Sequence, residues 1–370
     1  MSNTLGLYPN TIIGSDEKTL CFTILNSASH ILLNIAAEQY AIEGNTITFH
    51  SDCVISNEDI STLINSGYAY RLLRRPQITP ESYVHSYAVK DDDNLDKVLC
   101  RLFTITFVLD KIPALPELHY PFLSSNSLHF TDDVLKTDRI KEIISKIQHV
   151  RCVRLLSNDI LNSDVPLLAE LRGYDLETIV NQEYYLTHLE EILDYPSKLK
   201  FIVYIDDISH FDESKCIRSN DRTNISYFCR IRNHSELTAL SKYNGHIIPF
   251  PSLHSSAELI HSMLDYSMED LLETTTTEQD LLLKNTVNPL FYGKIIVDNT
   301  GNIRSYPFTD CNDNEGKGTK NKLIQLKDNP FWHMTRSDFF EKCRNCALLG
   351  LCPPLSIFEI NLRQTFCVQK

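Results

Sequence analysis

The sequence predicts an α/β protein whose centre is a partial (βα) barrel or open sheet, with a small α+β unit before it and a cysteine-rich segment after it. Two observations carry this expectation. From about residue 95 to 270, short apolar runs alternate with segments of helical period, as in parallel βαβ units. The last thirty residues then change texture and hold Cys343-x2-Cys346-x5-Cys352, Pro353-Pro354 and Cys367.

Residues 1–80 form the first unit. Thr19–Leu25 and Thr46–Phe49 have strand character, and Ile31–Ala37 is apolar, either strand or short helix. Ser56 or Asn57 can cap a helix over Glu58–Asn65, Gly67 stands at its natural stop, and Tyr68–Leu73 follows as a strand. Pro76 and Pro80 mark a linker, and Asp91–Asp93 continue it as a solvated loop.

Residues 81–280 carry the alternation, beginning with a strand in Leu99–Leu109. Ile140, Ile143, Ile144 and Ile147 recur at helical spacing, which gives one buried face to a helix from about Asp132 to Gln148. Val150–Leu156 is the next strand. Asp175 can cap a long helix through Leu193, with Leu186, Leu189, Ile192 and Leu193 on one side and Pro196 past its end. Leu199–Ile205 is a strand running into Asp206-Asp207. Ser235–Tyr243 reads as helix with Gly245 at its stop, Ile247–Phe250 as a short strand weakened by Pro249, and Ala257–Leu264 as a further helix. About four such βα units are too few to close an eight-fold barrel.

Residues 281–370 form the third segment. Gly293–Arg304 reads as a β-hairpin turning at Asn299–Gly301. A polar loop, Asn312–Lys322, follows, and Asn329–Phe331 with Trp332 lead into a short helix that ends at the cysteine turn. Trp332 reads as a packing residue against that turn.

A formal net charge of −13 argues against general binding of nucleic acid or anionic membrane, although Arg71, Arg74 and Arg75 make a small basic patch. The first twenty residues lack a basic region followed by an apolar one, and the apolar run Val98–Leu109 is interrupted by Arg101 and too short to span a bilayer. A cytoplasmic protein with reduced thiols is expected. Cys21, Cys53, Cys100, Cys152, Cys216, Cys229 and Cys311 are far apart and read as small buried hydrophobes.

Cys343, Cys346 and Cys352 can converge on one metal from a short turn, and Cys367 can add a fourth thiolate. Such a set suits zinc or an iron–sulfur cluster, and spacing does not separate the two. Four protein ligands leave no open position, so the site would be structural. The alternative is that the thiols are packing or free residues. No Cys-x3-Cys-x2-Cys triplet occurs among the eleven cysteines, so a cluster able to bind and cleave S-adenosylmethionine has no ligands.

The hairpin, the Trp332 segment and the terminal array together resemble the SPASM domain that trails many peptide-modifying radical-SAM enzymes. There a glycine-bearing hairpin precedes a Cys-x2-Cys-x5-Cys-x3-Cys array, with one more cysteine near the end. The ending CRNCALLGLCPPLSIFE…FC is similar still more closely to the pseudo-radical-SAM proteins, which accompany a true radical-SAM maturase in some ribosomal-peptide (RiPP) systems. The detailed likeness covers roughly the last 85 residues; the βα region agrees in pattern only.

The resemblance implies one [4Fe–4S] cluster on Cys343, Cys346, Cys352 and Cys367, with zinc as the alternative and no S-adenosylmethionine. It implies that a first auxiliary cluster is lost: Tyr306 stands five residues after Gly301 where the family has cysteine, no cysteine lies between 230 and 310, and Ser356 replaces a ligand four after Cys352. Cys311 does not match a ligand spacing. The βα region would be a degenerate radical-SAM-like barrel, and the implied partners are a radical-SAM maturase and a precursor peptide. The N-terminal unit would be a leader-peptide-binding module that adds the peptide as a strand at Thr46–Phe49 or Thr19–Leu25, or a domain that merely covers the sheet. Two other readings stand beside this one: an iron–sulfur electron-transfer partner, and a zinc-stabilised scaffold unrelated to peptide modification.

The remaining candidates are weaker. Asp206-Asp207 with Ser209-His210 lies at a strand end, where α/β folds often keep active residues, yet acidic residues routinely start loops. His246, His254 and His261 lie at spacings of 8 and 7 without a supporting carboxylate pattern. No Gly-x-Gly-x-x-Gly, Walker or Gly-x-Ser-x-Gly motif occurs.

Overall fold

The computed structural model describes residues 3–71, 103–110, 132–147, 149–163, 171, 173–195, 199–211, 225–243, 246–252, 255–305, 323 and 325–367. Expectations for Arg74, Arg75, Pro76, Pro80, Asp91–Asp93, Cys100, Pro196, Cys216, Gly245, His254, Tyr306, Cys311 and Asn312–Lys322 lie outside the described residues. Among the described residues no helix is long and apolar enough to cross a membrane.

The chain forms two compact units. The first is assembled from three stretches, Met1–Ala88, Asp265–Pro289 and His333–Lys370; the second comprises Val89–Leu264 and Leu290–Trp332. The cysteine-rich end therefore shares a unit with the N-terminal strands.

Seven strands build the first unit: β1 (Asn3–Leu7), β2 (Thr11–Ser15), β3 (Leu20–Ile24), β4 (Ser29–Leu33), β5 (Tyr40–Glu43), β6 (Thr46–Phe49) and β7 (Ala69–Arg71). They form two antiparallel sheets, ordered β5-β6-β1-β7 and β2-β3-β4. Both strands expected to offer an edge to a leader peptide are thus internal, β3 between β2 and β4, and β6 between β5 and β1. Their backbone groups are already paired, so a peptide strand has no free ladder there. The outer strands are β5, β7, β2 and β4.

Strand β3 is buried on both faces, and its alternation sorts residues between two cores. Leu20 and Phe22 join Leu5, Ile47, Phe49, Leu63 and Tyr68 on one side. Cys21 points the other way, into a cluster with Leu271, Ala347, Leu348, Leu351 and Cys352. Gly14 is the register partner of Cys21, and a Cβ there would stand 1.9 Å from the Ala347 carbonyl oxygen. Only glycine lets the cysteine turn lie this close to the sheet.

The helix Asn57–Asn65 starts at Ser56, whose hydroxyl accepts the Asp59 amide at 2.9 Å while Asp59 accepts the Ser56 amide at 3.1 Å. Ile60 and Leu63 fill its buried face, and Gly67 follows with φ +79°.

The second unit is a mixed α/β layer around one sheet: β8 (Thr104–Val108), β9 (Cys152–Leu156), β10 (Asp175–Asn181), β11 (Lys200–Ile205), β12 (Ile225–Ile231), β13 (Ile247–Pro251), β14 (Lys294–Val297) and β15 (Ile303–Ser305). Its order is β13-β12-β11-β10-β9-β8-β14-β15. The strands from β8 to β13 are parallel and follow one another in chain order. The expected hairpin is β14–β15; β14 extends the sheet parallel to β8 and β15 closes it antiparallel. Gly301 takes φ +86° in its turn, where Asp298 Oδ1 accepts the amides of Thr300 and Asn302 at 3.0 and 2.9 Å.

Two expectations fail here. Asp175 does not cap a helix through Leu193; Asp175–Asn181 is the strand β10, and Asn181 caps Gln182–Thr187 by accepting the Tyr184 amide at 2.7 Å. The run Leu176-Glu-Thr-Ile-Val suits a pleated strand, because its branched side chains pack across neighbours and lose freedom in a helix. A break at His188 separates a second short helix, Leu189–Leu193. Tyr185 and Ile192 are buried, whereas Leu186 and Leu193 are 37% and 36% exposed. The strands β1, β2, β5 and β12 were not expected; polar and glycine positions dilute their apolar signal. Trp332, expected on the cysteine turn, is buried in the second unit, edge-on to Tyr292 with ring centroids 5.5 Å apart.

Candidate metal centre

The cysteine segment is a series of tight turns. Thr335 caps the helix Arg336–Phe339, and Glu341–Arg344 carries Cys343. The Cys346 amide donates to the Cys343 carbonyl at 3.3 Å, and the Leu349 amide to that of Cys346 at 3.2 Å. The Cys352 amide donates back to Leu348 and Leu349, after which Pro353-Pro354 cannot continue the pattern. Ser356 caps the helix Ile357–Leu362, and the chain reverses at Arg363, φ +52°. Cys367 then comes alongside Tyr266, whose amide donates to the Phe366 carbonyl at 3.0 Å.

These turns bring Cys343, Cys346, Cys352 and Cys367 to the wall of one cleft of about 680 Å³, which Tyr266, Met268 and Asp16–Thr19 also line. Asp16 ties the two sides: its carboxylate accepts the Lys18 and Thr19 amides at 2.9 and 2.8 Å, and the Ala347 amide at 3.4 Å. The four thiols named from spacing are therefore gathered, while Tyr266 and Asp16 had no signal because they lie far away in the chain.

Burial governs Cys343, Cys346 and Cys352. It pushes Cys352 up to about 12, opposed by the Arg336 guanidinium and reinforced by Cys346 and Cys367. Burial likewise raises Cys343, again against Arg336, and raises Cys346 against its hydrogen bond with the Leu348 backbone. Deep protonated thiols of this kind become thiolates when a cation supplies the compensating charge, and binding then releases protons. The donor set suits a thiophilic metal. As the side chains lie, no three His, Cys, Asp or Glu groups among the described residues stand close enough together to hold a metal ion. The thiols share a cleft without forming a closed ligand shell.

The other candidates resolve into local structure. Asp207 Oδ1 accepts the Ser209 amide and hydroxyl at 2.9 and 2.6 Å, and Oδ2 accepts from His210 Nδ1 at 2.9 Å. The Ser209 hydroxyl and amide hold the Asp207 carboxyl down to about 2. The hydroxyl donates to the carboxylate, so the group caps a single turn, Ile208–His210. Asp206 pairs with Arg230. His246 is exposed before β13, and His261 lies on the helix Ala257–Leu264. Of the scattered cysteines, Cys21 and Cys229 are buried, whereas Cys53 and Cys152 are partly exposed.

Sequence reasoning missed a charged row across the second unit's sheet. Register aligns Thr106, Arg154, Glu177 and Lys200 on β8 to β11, with Lys294, Thr104 and Cys152 one step away on the same face. Glu177 bonds Arg154 at 2.8 Å and lies 3.7 Å from Lys200. The signal was one polar residue per strand, invisible until pairing aligned them.

No protein-family model, curated protein or solved structure matches this chain.

Proposed function

We propose that this chain is a non-catalytic accessory protein of ribosomal-peptide maturation, binding a true radical-SAM maturase, its precursor peptide, or both. The observation that carries the reading is the gathering of Cys343, Cys346, Cys352 and Cys367 on one cleft, in a chain with no Cys-x3-Cys-x2-Cys triplet. Six parallel strands in chain order agree with a degenerate partial barrel, in which a hairpin extends the sheet beside its first strand. The four cysteines would hold one [4Fe–4S] cluster, and a bound cluster would cross-link the turn to the C-terminal arm and add one-electron capacity. Zinc on the same ligands would supply the cross-link alone. Copies that lose the chemistry while keeping such a cross-link keep the shape of a partner-binding surface.

The deciding experiment is purification without oxygen, with iron, sulfide and zinc measured beside the ultraviolet–visible spectrum. The reading expects about four irons per chain and absorbance at about 400 nm, both lost in Cys346→Ala. Zinc alone would favour the scaffold reading. No metal under any loading condition would remove the site. Co-purification with a radical-SAM protein separates the accessory role from both alternatives, and electron transfer to that partner would identify a redox role.

A further inference from the structure

Behind the cysteines lies an ion pair almost wholly removed from solvent: the Arg336 and Glu359 side chains are 4% and 1% exposed. The contact is two-pronged, Nη1 to Oε1 at 2.5 Å and Nη2 to Oε2 at 2.7 Å. The other bonds of the pair all run to the segments that carry the cysteines. Arg336 Nε donates to the Pro353 carbonyl at 3.2 Å and Nη2 to the Pro354 carbonyl at 3.4 Å, the two residues after Cys352. Glu359 Oε1 accepts the amide of Phe366, the residue before Cys367, at 3.3 Å. Its Oε2 accepts the Ser356 amide and hydroxyl at 3.0 and 3.1 Å.

We propose that Arg336 and Glu359 are positioning residues for the metal centre, locking the Cys352 turn and the Cys367 arm in mutual register before metal arrives. The inference rests on the metal-binding reading of the four cysteines. Pro353 and Pro354 have no N–H, so that turn cannot anchor itself through its own amides, and its carbonyls are what an external donor can grip. A guanidinium fork suits this task because its donors point in fixed directions, two to the carboxylate and two to carbonyls. A buried ion pair is a poor source of stability compared with apolar groups of the same volume. Apolar groups, however, cannot fix two carbonyls and two amides at set angles. The pair holds outer partners of a ligand set, the kind of contact whose loss weakens metal binding without removing a ligand.

The test uses the full chain and cobalt(II) alone as probe, because thiolate-bound cobalt(II) reports coordination by its visible spectrum. Glu359→Gln keeps shape and Arg336→Lys keeps charge without the fork; Ser56→Ala, a cap in the same unit, controls for lost stability. The wild type should give a four-thiolate spectrum, and Glu359→Gln, still folded by circular dichroism, should bind cobalt at least about ten-fold more weakly. Arg336→Lys should fall between, and Ser56→Ala should bind as the wild type does. Unchanged affinity and spectrum in the folded pair variants would overturn the proposal while leaving the metal reading intact. A wild type that takes up no metal would overturn that reading, and the proposal with it. A second measurement needs no variant: the Phe366 and Ser356 amides should resist hydrogen exchange equally in apo and cobalt-loaded protein. Protection that arises only with metal would show that the metal, not the pair, sets the register.

Discussion

Lys294 shows how one side chain on the polar face of the large sheet sets a pH dependence. It heads β14 beside Thr104, which pairs in turn with Cys152. Burial, and then the positive Arg154, push its amine down to about 8, against the pull of Cys152 and Glu177. The folded state therefore disfavours the ammonium form. Its penalty is full below pH about 8 and is lifted as pH rises toward the ordinary lysine value of 10.5. Lys294→Met should raise stability at pH 7 by on the order of 1 kcal/mol, discounted for partial solvent access, and should flatten the rise between pH 8 and 10.5, read from urea midpoints. Cys152, pushed up to about 12 by burial and then Glu177, works the opposite way above pH 9, so the wild-type-minus-variant difference carries the test. A less stable variant with the wild-type slope would refute the assignment. Nothing in the spacing around Lys294 announced this environment, because the residues that make it come from three other strands.

At the scale of elements, the two ends of β10 discriminate between the helix that the sequence suggests and the strand that forms. Asn181→Ala should cost about 1 kcal/mol by removing the cap of Gln182–Thr187. Asp175→Ala, at a 73% exposed side chain whose contact to Arg151 is 3.6 Å, should stay within about 0.5 kcal/mol. Equal losses at both positions in denaturant titrations would contradict the assigned boundary. The helical spacing of Leu189 and Ile192 was legible, but it begins only after a β-branched run that the period alone does not exclude. The helix Asn57–Asn65 was legible to within a residue because its capping box and its stop glycine are local. Strand β12, Ile225–Ile231, was overlooked although Ile225, Tyr227, Cys229 and Ile231 alternate with Ser226, Phe228 and Arg230, because apolar Phe228 blurs the polar side of that alternation.

For the whole molecule, the composite first unit matters most. Gly14, Cys21 and Leu32 face the segment Ala347–Leu351, and the Asn26 amide and His30 Nε2 bond the Thr276 and Thr274 carbonyls at 2.9 and 3.0 Å. Residues 1–88 expressed alone should keep the core around Leu5, Ile47 and Phe49 but lose hydrogen-exchange protection in β3 relative to the full chain. Equal protection of β3 in both would show that the N-terminal segment completes its fold unaided. Legible from the chain alone were the cap of Asn57–Asn65, most strand positions, the alternation that makes the fold α/β, and the four cysteines that line one cleft, because each of these is written in periods and spacings of a few residues. Tertiary structure alone decided that β3 and β6 are internal, that the hairpin extends the large sheet, that the cysteine turn packs on the N-terminal strands, and that Arg336 meets Glu359. Those outcomes depend on burial and hydrogen-bond directions shared among residues tens to hundreds apart, for which a linear pattern holds no register.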